Sequence, residues 1–242
     1  MQAIYKYIRL IKRKTSASPD QFKRGWVEGS VDDDKRALGA APIRRIVKSI
    51  GTGEVALGGT EPPFDAMIAV YFDTLADAKA TASSAKIDAL FRENAELVDS
   101  GASMQEMIAE EYTMGQKADA DTVLSGDSSL KIIRTVYRRN DLDGRAFKDY
   151  WLHNHSKLED VVITRSPVVR IVATFAVPDG LEGKTPPFDG MVELYFRSPA
   201  DIRTMFASEI PAMMRKDEEN FVQMDAPAIR FIANEFITAK SG

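Results

Sequence analysis

Two histidines, His153 and His155, and no cysteine occur among the 242 residues, so imidazole chemistry near neutral pH must come from one short stretch. Without thiols there is no disulfide framework, no Cys-ligated zinc or iron–sulfur centre and no thiolate nucleophile. An imidazole titrates near neutral pH and can take and return a proton within one turnover, which makes His155 a candidate catalytic base. His153-Asn-His155-Ser-Lys-Leu-Glu159 also fits an H-x-H-x3-E metal-ligand spacing. The preceding Phe147 and Trp151 are spaced as on a helix, however, where positions 153 and 155 diverge by about 200°. With no third histidine to complete a set, no metal is expected.

Glu193 lies in the alternating stretch Met191-Val-Glu-Leu-Tyr195, on the face opposite Val192, Leu194 and Phe196. If those three pack beneath helices, Glu193 points into a cavity with Met191 and Tyr195, where a carboxylate needs a partner. Arg134 or Arg170 would provide one as a structural ion pair, or would hold a substrate carboxylate or enolate through bidentate hydrogen bonds. Tyr150 and Tyr195 are candidates to orient a phenolic substrate. Phe147, Trp151 and Phe188 read as cavity wall or core.

The elements that must position these groups occur twice. Phe22, Trp26, Pro42, Arg45, Ile46 and Val47 recur as Phe147, Trp151, Pro167, Arg170, Ile171 and Val172, each 125 positions on. Beyond a one-residue deletion the offset is 124, so that Pro62-Pro-Phe-Asp65 recurs as Pro186-Pro-Phe-Asp189, and Tyr71-Phe72 as Tyr195-Phe196. Each copy opens with an alternating strand, Ile4–Arg13 or Lys131–Arg139. In the first, Ser18-Pro-Asp-Gln21 then predicts a capping box with a first-turn proline at the start of a helix. Two strands follow, Ile43–Ile50 and Phe64–Asp73, matched by Val168–Ala176 and Phe188–Arg197. A helix opened by Thr74 or Ser198 comes next, and a last strand, Met104–Thr113 or Ala228–Thr238, closes the copy. The order β-α-β-β-α-β, twice over, predicts an α+β chain of two tandem ferredoxin-like repeats packed sheet to sheet as a pseudo-twofold barrel. The repeats span 1–116 and 130–242, with a polar linker over 117–129.

Phe147-Lys-Asp-Tyr-Trp151-Leu-His-Asn-His155-Ser-Lys-Leu and Phe188-Asp-Gly-Met-Val-Glu-Leu-Tyr-Phe196 resemble the EthD-like family of the dimeric α+β barrel superfamily, with its F-x-x-Y-W-x-x-x-H-a-x-L helix and F-D-G-x-x-E-L-x-F strand. The likeness covers the second copy nearly throughout and the first in weaker form. Members are usually single-domain chains that dimerise, so the resemblance implies a fused dimer that is a monomer or dimerises again. Related barrels include cyclases, isomerases, lyases and cofactor-free monooxygenases. The first copy has Ser30 where the second has His155, and Ala69 where it has Glu193, which predicts one active cavity, in the C-terminal half.

The implied activity is a cofactor-independent lyase acting on an apolar, aromatic small molecule with a carboxylate or phenol, by decarboxylation, dehydration or cyclisation. His155 would move the proton, Glu193 would orient it, and Arg134 or Arg170 would hold an anionic group. Alternatives are a cofactor-free monooxygenase and a non-catalytic small-molecule carrier. No cofactor is expected: G-x-G-x-x-G and P-loop patterns are absent, and Asn140-Asp-Leu-Asp143-Gly144 lacks the first glycine of a haem-peroxidase signature. Lys and Arg number 32 against 36 Asp and Glu, a net charge of −4 that speaks against a nucleic-acid partner. No apolar run approaches membrane-spanning length and no signal peptide is legible, so a cytoplasmic location is the default.

Overall fold

The computed structural model describes residues 3–53, 62–83, 96–99 and 105–242. Its strands are β1 (Ile4–Ile11), β2 (Arg45–Gly51), β3 (Ala66–Phe72), β4 (Glu106–Gln116), β5 (Ser129–Val136), β6 (Arg170–Ala176), β7 (Gly190–Phe196) and β8 (Arg230–Lys240). The expected strands all occur, with ends displaced by a few residues; the predicted start of the fourth at Met104 lies outside the described residues. The helices are α1 (Pro19–Lys23), α2 (Val31–Ala40), α3 (Leu75–Ala82), α4 (Ala120–Val123), α5 (Gly144–Tyr150), α6 (Ser156–Arg165), α7 (Pro199–Phe206) and α8 (Ile210–Glu218). Ser18 caps α1 through the full capping box with Gln21, as its sequence predicts.

The strands close into one barrel in the order β1-β3-β2-β8-β5-β7-β6-β4, antiparallel throughout. Two seams complete it, β2 against β8 and β4 against β6, each with one register shift. Closure leaves no unpaired edge and divides every strand into an inward and an outward face. The outward faces carry the helices over two apolar clusters, one around Phe22, Trp26 and Ile46, the other around Phe147, Trp151 and Ile171. The inward face holds a third around Ile8, Met67, Ile133, Met191 and Phe231. The stretch 117–129, read as a polar linker, contains α4, whose Ala120 is fully buried against Val169, Val172 and Tyr195.

A π-helical turn interrupts the first helical segment of each half, over Arg24–Glu28 and Trp151–His155. The spacing of the buried residues gives a reason for it. Phe22, Trp26, Ser30 and Asp34 recur every four residues, as do Phe147, Trp151, His155 and Glu159, and all eight are buried. In an α-helix each such step over-rotates by about 40°. The wider π turn under-rotates and cancels that drift, so all four side chains keep facing the sheet. Among the described residues no helix is long and apolar enough to cross a membrane.

Candidate active site

The π turn delivers His155 onto the outward face of the second-half sheet, where it lines a cavity of about 270 Å³. Ile132, Ile171, Val192 and Leu194 of the sheet form the apolar floor, Trp151, Glu159 and Val162 one wall, and Met205, Met214 and Glu218 another. The charged lining is His155, Glu159, Glu218 and three arginines, Arg134, Arg215 and Arg230.

His155 is 2% exposed, its ring edge-on to Trp151 and against Phe221 with centroids 4.9 Å apart. Its Nδ1 lies 2.7 Å from Asp217 Oδ2, and Tyr150 Oη donates to the other oxygen of that carboxylate at 3.0 Å. A carboxylate only accepts, so the Nδ1 proton is assigned to that bond and Nε2 keeps its lone pair. Burial lowers the imidazole pKa despite the opposing pull of Asp217 and Glu218. The result is a neutral, fixed base. Glu159, one turn on, is 1% exposed and accepts one hydrogen bond, from Trp151 Nε1 at 3.1 Å. Burial lifts its pKa to about 7, the indole bond working against the rise and nearby Asp160 with it. Opposite, Arg134 Nη1 donates to Glu218 Oε1 at 2.6 Å.

Of the residues singled out in the sequence, the structure brings together His155, Arg134 and Trp151. Tyr150 stands behind the site, stacked on Phe221 and holding Asp217. Arg170 lies elsewhere, bonded to Gln116 at 2.9 Å and ion-paired with Asp121. Met191 and Phe188 sit in the inward cluster. Tyr195 is buried, donating to Glu235 at 2.9 Å.

Glu193 is the main correction, because it does not meet His155. It does point into the barrel, but the histidine-bearing helix packs on the other side of the sheet, over Val192 and Leu194, and successive strand residues point to opposite faces. Inside the barrel Glu193 bridges two buried lysines, Lys6 at 2.9 Å and Lys131. Lys6 reaches on to Glu111 at 2.7 Å, Lys131 to Glu235, and Tyr71 Oη donates to Glu111 at 2.9 Å. Burial alone would raise the Glu193 pKa, but Lys131 and Lys6 outweigh it and hold the carboxylate well below its usual range. The partners are lysines, where arginines were expected. The signal was present: Lys6 and Lys131 stand 125 positions apart, each with inward strand parity.

His153 is exposed, on the Asp149 carbonyl at 2.9 Å, and no group of three or more metal-ligating His, Asp or Glu side chains occurs among the described residues. Sequence reasoning missed Glu159, Asp217, Glu218, Arg215 and Arg230. The four-residue spacing from Phe147 could have placed Glu159 beside His155. Asp217 and Glu218 arrive from a helix some 60 residues on, 217 − 155 = 62 for Asp217, and carry no local signal.

The first half differs from the second at two positions beneath the matching helical segment. At the positions of Ile132 and Ala173 it has Tyr7 and Lys48, 125 residues earlier. The Tyr7 ring is fully buried, and Lys48 runs beneath Trp26 to Asp34 at 2.7 Å and to Ser30. Two larger side chains, one of them a cation paired with Asp34, thus stand where the second half has Ile132 and Ala173.

Residues 139–225 match the EthD domain family. No curated protein matches the chain in sequence. The fold resembles that of a candidate chlorite dismutase, with 10% identity and a TM-score of 0.55, covering 98% of this chain and 95% of that one. It also resembles a candidate monooxygenase from Lactobacillus acidophilus, with 9% identity and a TM-score of 0.51, covering 99% and 95%. A haem-binding protein from Thermus thermophilus matches with 12% identity and a TM-score of 0.52 over 98% and 92%. The matched segment contains His155, Glu159 and Asp217, so the candidate site lies in the part of the chain that is similar to the EthD domain, within a closed eight-stranded α+β barrel fold shared with these structures.

Proposed function

We propose that the protein is a cofactor-independent enzyme of the lyase type, working by acid/base catalysis in the His155 cavity on a small, apolar, phenolic or carboxylate-bearing molecule. The observation that carries this reading is the buried His155–Asp217 pair, a neutral imidazole with Nε2 available inside an apolar pocket. Decarboxylation of a hydroxyaromatic acid uses these groups directly. Nε2 removes the phenolic proton, and Asp217 stabilises the imidazolium. The proton returns to the ring carbon that bears the carboxylate, the C–CO2 bonding pair re-forms the aromatic ring, CO2 leaves, and the phenolate product is protonated by water. Arg134 holds an anionic oxygen throughout. We also read the chain as two tandem ferredoxin-like repeats, 1–116 and 130–242 joined by 117–129, working in the cytoplasm as a fused pseudo-dimer. The recurrence of element order and strand pairing in the two halves supports this.

A second reading, a cofactor-free monooxygenase, draws on the fold neighbour so described. The same base would generate a substrate anion that reacts with oxygen. A haem role, which the Thermus thermophilus neighbour has, does not fit. The cavity beside His155, of about 270 Å³, falls below the roughly 300–1,000 Å³ of drug-sized sites and is too small for a haem.

The test is a panel of hydroxybenzoates and hydroxynaphthoates incubated with the full chain, in air and under nitrogen, with products read by mass spectrometry. CO2 loss in both atmospheres, abolished by His155→Ala, is the expected result. Turnover only in air favours the monooxygenase, and full turnover by His155→Ala rejects both.

A further inference from the structure

Glu159 is the group in this pocket that the His155 reading leaves unused. One carboxylate oxygen accepts from Trp151, but the other, Oε2, is buried with no partner among the described residues. The matching carboxyl of the first half, Asp34, is neutralised by Lys48 at 2.7 Å. The position of Lys48 is Ala173 in the second half, so the carboxyl has stayed while its cation is replaced by a methyl group in the apolar cluster. A polar atom of this kind is kept unsatisfied only at a cost.

The cationic part of the lining is unusual in the complementary way. Arg134 of β5 and Arg230 of β8 are direct cross-strand neighbours, where the first half pairs Arg9 with Glu106. Like charges in that arrangement repel. Glu218 offsets part of the repulsion from Arg134 at 2.6 Å, while the buried Nε of Arg134 has no partner among the described residues and Arg215 adds a third cation to the lining. The pocket therefore combines three arginines and an unsatisfied carboxyl with an aliphatic floor.

We propose that Glu159 is a catalytic residue that passes a proton through Oε2 to a substrate atom in this cavity, and that Arg134 and Arg230 together hold the anionic group of the substrate, a small apolar monoanion such as an aromatic carboxylate. In the transfer the O–H bond of Glu159 breaks as the substrate atom takes the proton, its electron pair stays on Oε2, and water re-protonates the carboxylate. The proposal rests on the cavity being the acid/base site described above, and adds the second proton-handling group and the class of ligand.

The groups facing Glu159 are Trp151 and His155 on its own helical segment, Asp160 beside it, Arg134 and Arg230 from the strands, and Arg215 and Glu218 from α8. His155, its pKa lowered, stays neutral where Glu159 titrates. Anion binding should therefore follow the protonation of Glu159.

The probe is benzoate, titrated calorimetrically into the full chain from about pH 5 to about pH 9. Wild type should bind with a Kd that is flat at low pH and rises by up to about tenfold for each pH unit above about 7. Glu159→Gln should bind with no such rise, His155→Gln should keep it, and Arg230→Gln should bind about tenfold or more weakly at every pH. A Glu159→Gln protein with the wild-type slope, a flat wild-type profile, or no saturable binding at millimolar benzoate overturns the proposal. Should Glu159→Gln fail to fold, infrared difference spectra of wild type decide: a carboxylic-acid stretch present at acid pH must shift on adding benzoate, and its absence or indifference overturns the proposal. Full turnover by His155→Ala would reject the lyase reading yet leave these binding results unchanged, so the two failures are separable.

Discussion

Replacing Glu159 by glutamine should change stability in a way that depends on pH, with a sign fixed by burial. In the folded protein this carboxyl is raised to about 7 from 4.5, so the fold binds its proton more tightly than the unfolded chain does. The contribution to stability is full below 4.5, falls as pH rises through the interval to 7, and reaches its floor above it. At roughly 1.4 kcal/mol per tenfold change in proton affinity, the loss is about 3 kcal/mol, an upper figure because the carboxyl sits beside a cavity that admits water. Glutamine keeps the size and the acceptor for Trp151 but has no charge to bury. The difference in Tm between Glu159→Gln and wild type should therefore rise by roughly 6–12 °C from about pH 5 to about pH 8.5, at about 2–4 °C per kcal/mol for a chain of this size. Scanning calorimetry of both proteins in matched buffers measures it, and every other titrating group cancels in the difference. A difference in Tm that stays constant across that range would refute the reasoning, since Glu159 would then be ionising without penalty.

Two further outcomes follow from the same contacts. Glu193→Gln leaves Lys6 and Lys131 with one carboxylate each inside the barrel, and breaking such a buried pair costs about 3–5 kcal/mol. Its Tm should fall by about 10 °C, measured by thermal melts followed by circular dichroism; a fall within error would show that water or rearrangement satisfies the cluster. Ala173→Lys restores the lysine of the first half and should give Glu159 the ion pair that Lys48 gives Asp34, holding the carboxyl ionised. Benzoate binding should then be lost with little change in Tm, whereas wild-type affinity by calorimetry would show that the cavity is not the site.

Much of this molecule was legible in the chain because its controlling patterns are local or periodic. The two-residue alternation of Met191-Val-Glu-Leu-Tyr195 correctly sent Val192 and Leu194 under the helices and Glu193 into the barrel. The capping signal at Ser18 needs only three neighbouring residues, and the internal offset ordered the strands. His155 was identified because histidine is scarce and its helix resembles a known motif. Which groups would meet His155 depended instead on which side of the sheet its helix packs, and strand parity and helix spacing are each silent about the other. That choice separated His155 from Glu193 and joined it to Asp217, and it placed Glu159 where Lys48 has no counterpart. By itself the sequence determined the elements, their order and the faces of each strand, since short-range sterics and burial decide those. Only the tertiary structure decided the company each charge keeps, because burial and the distance to a counter-charge, set by residues remote in sequence, make Glu193 an interior anchor and Glu159 a carboxyl that holds its proton near neutral pH.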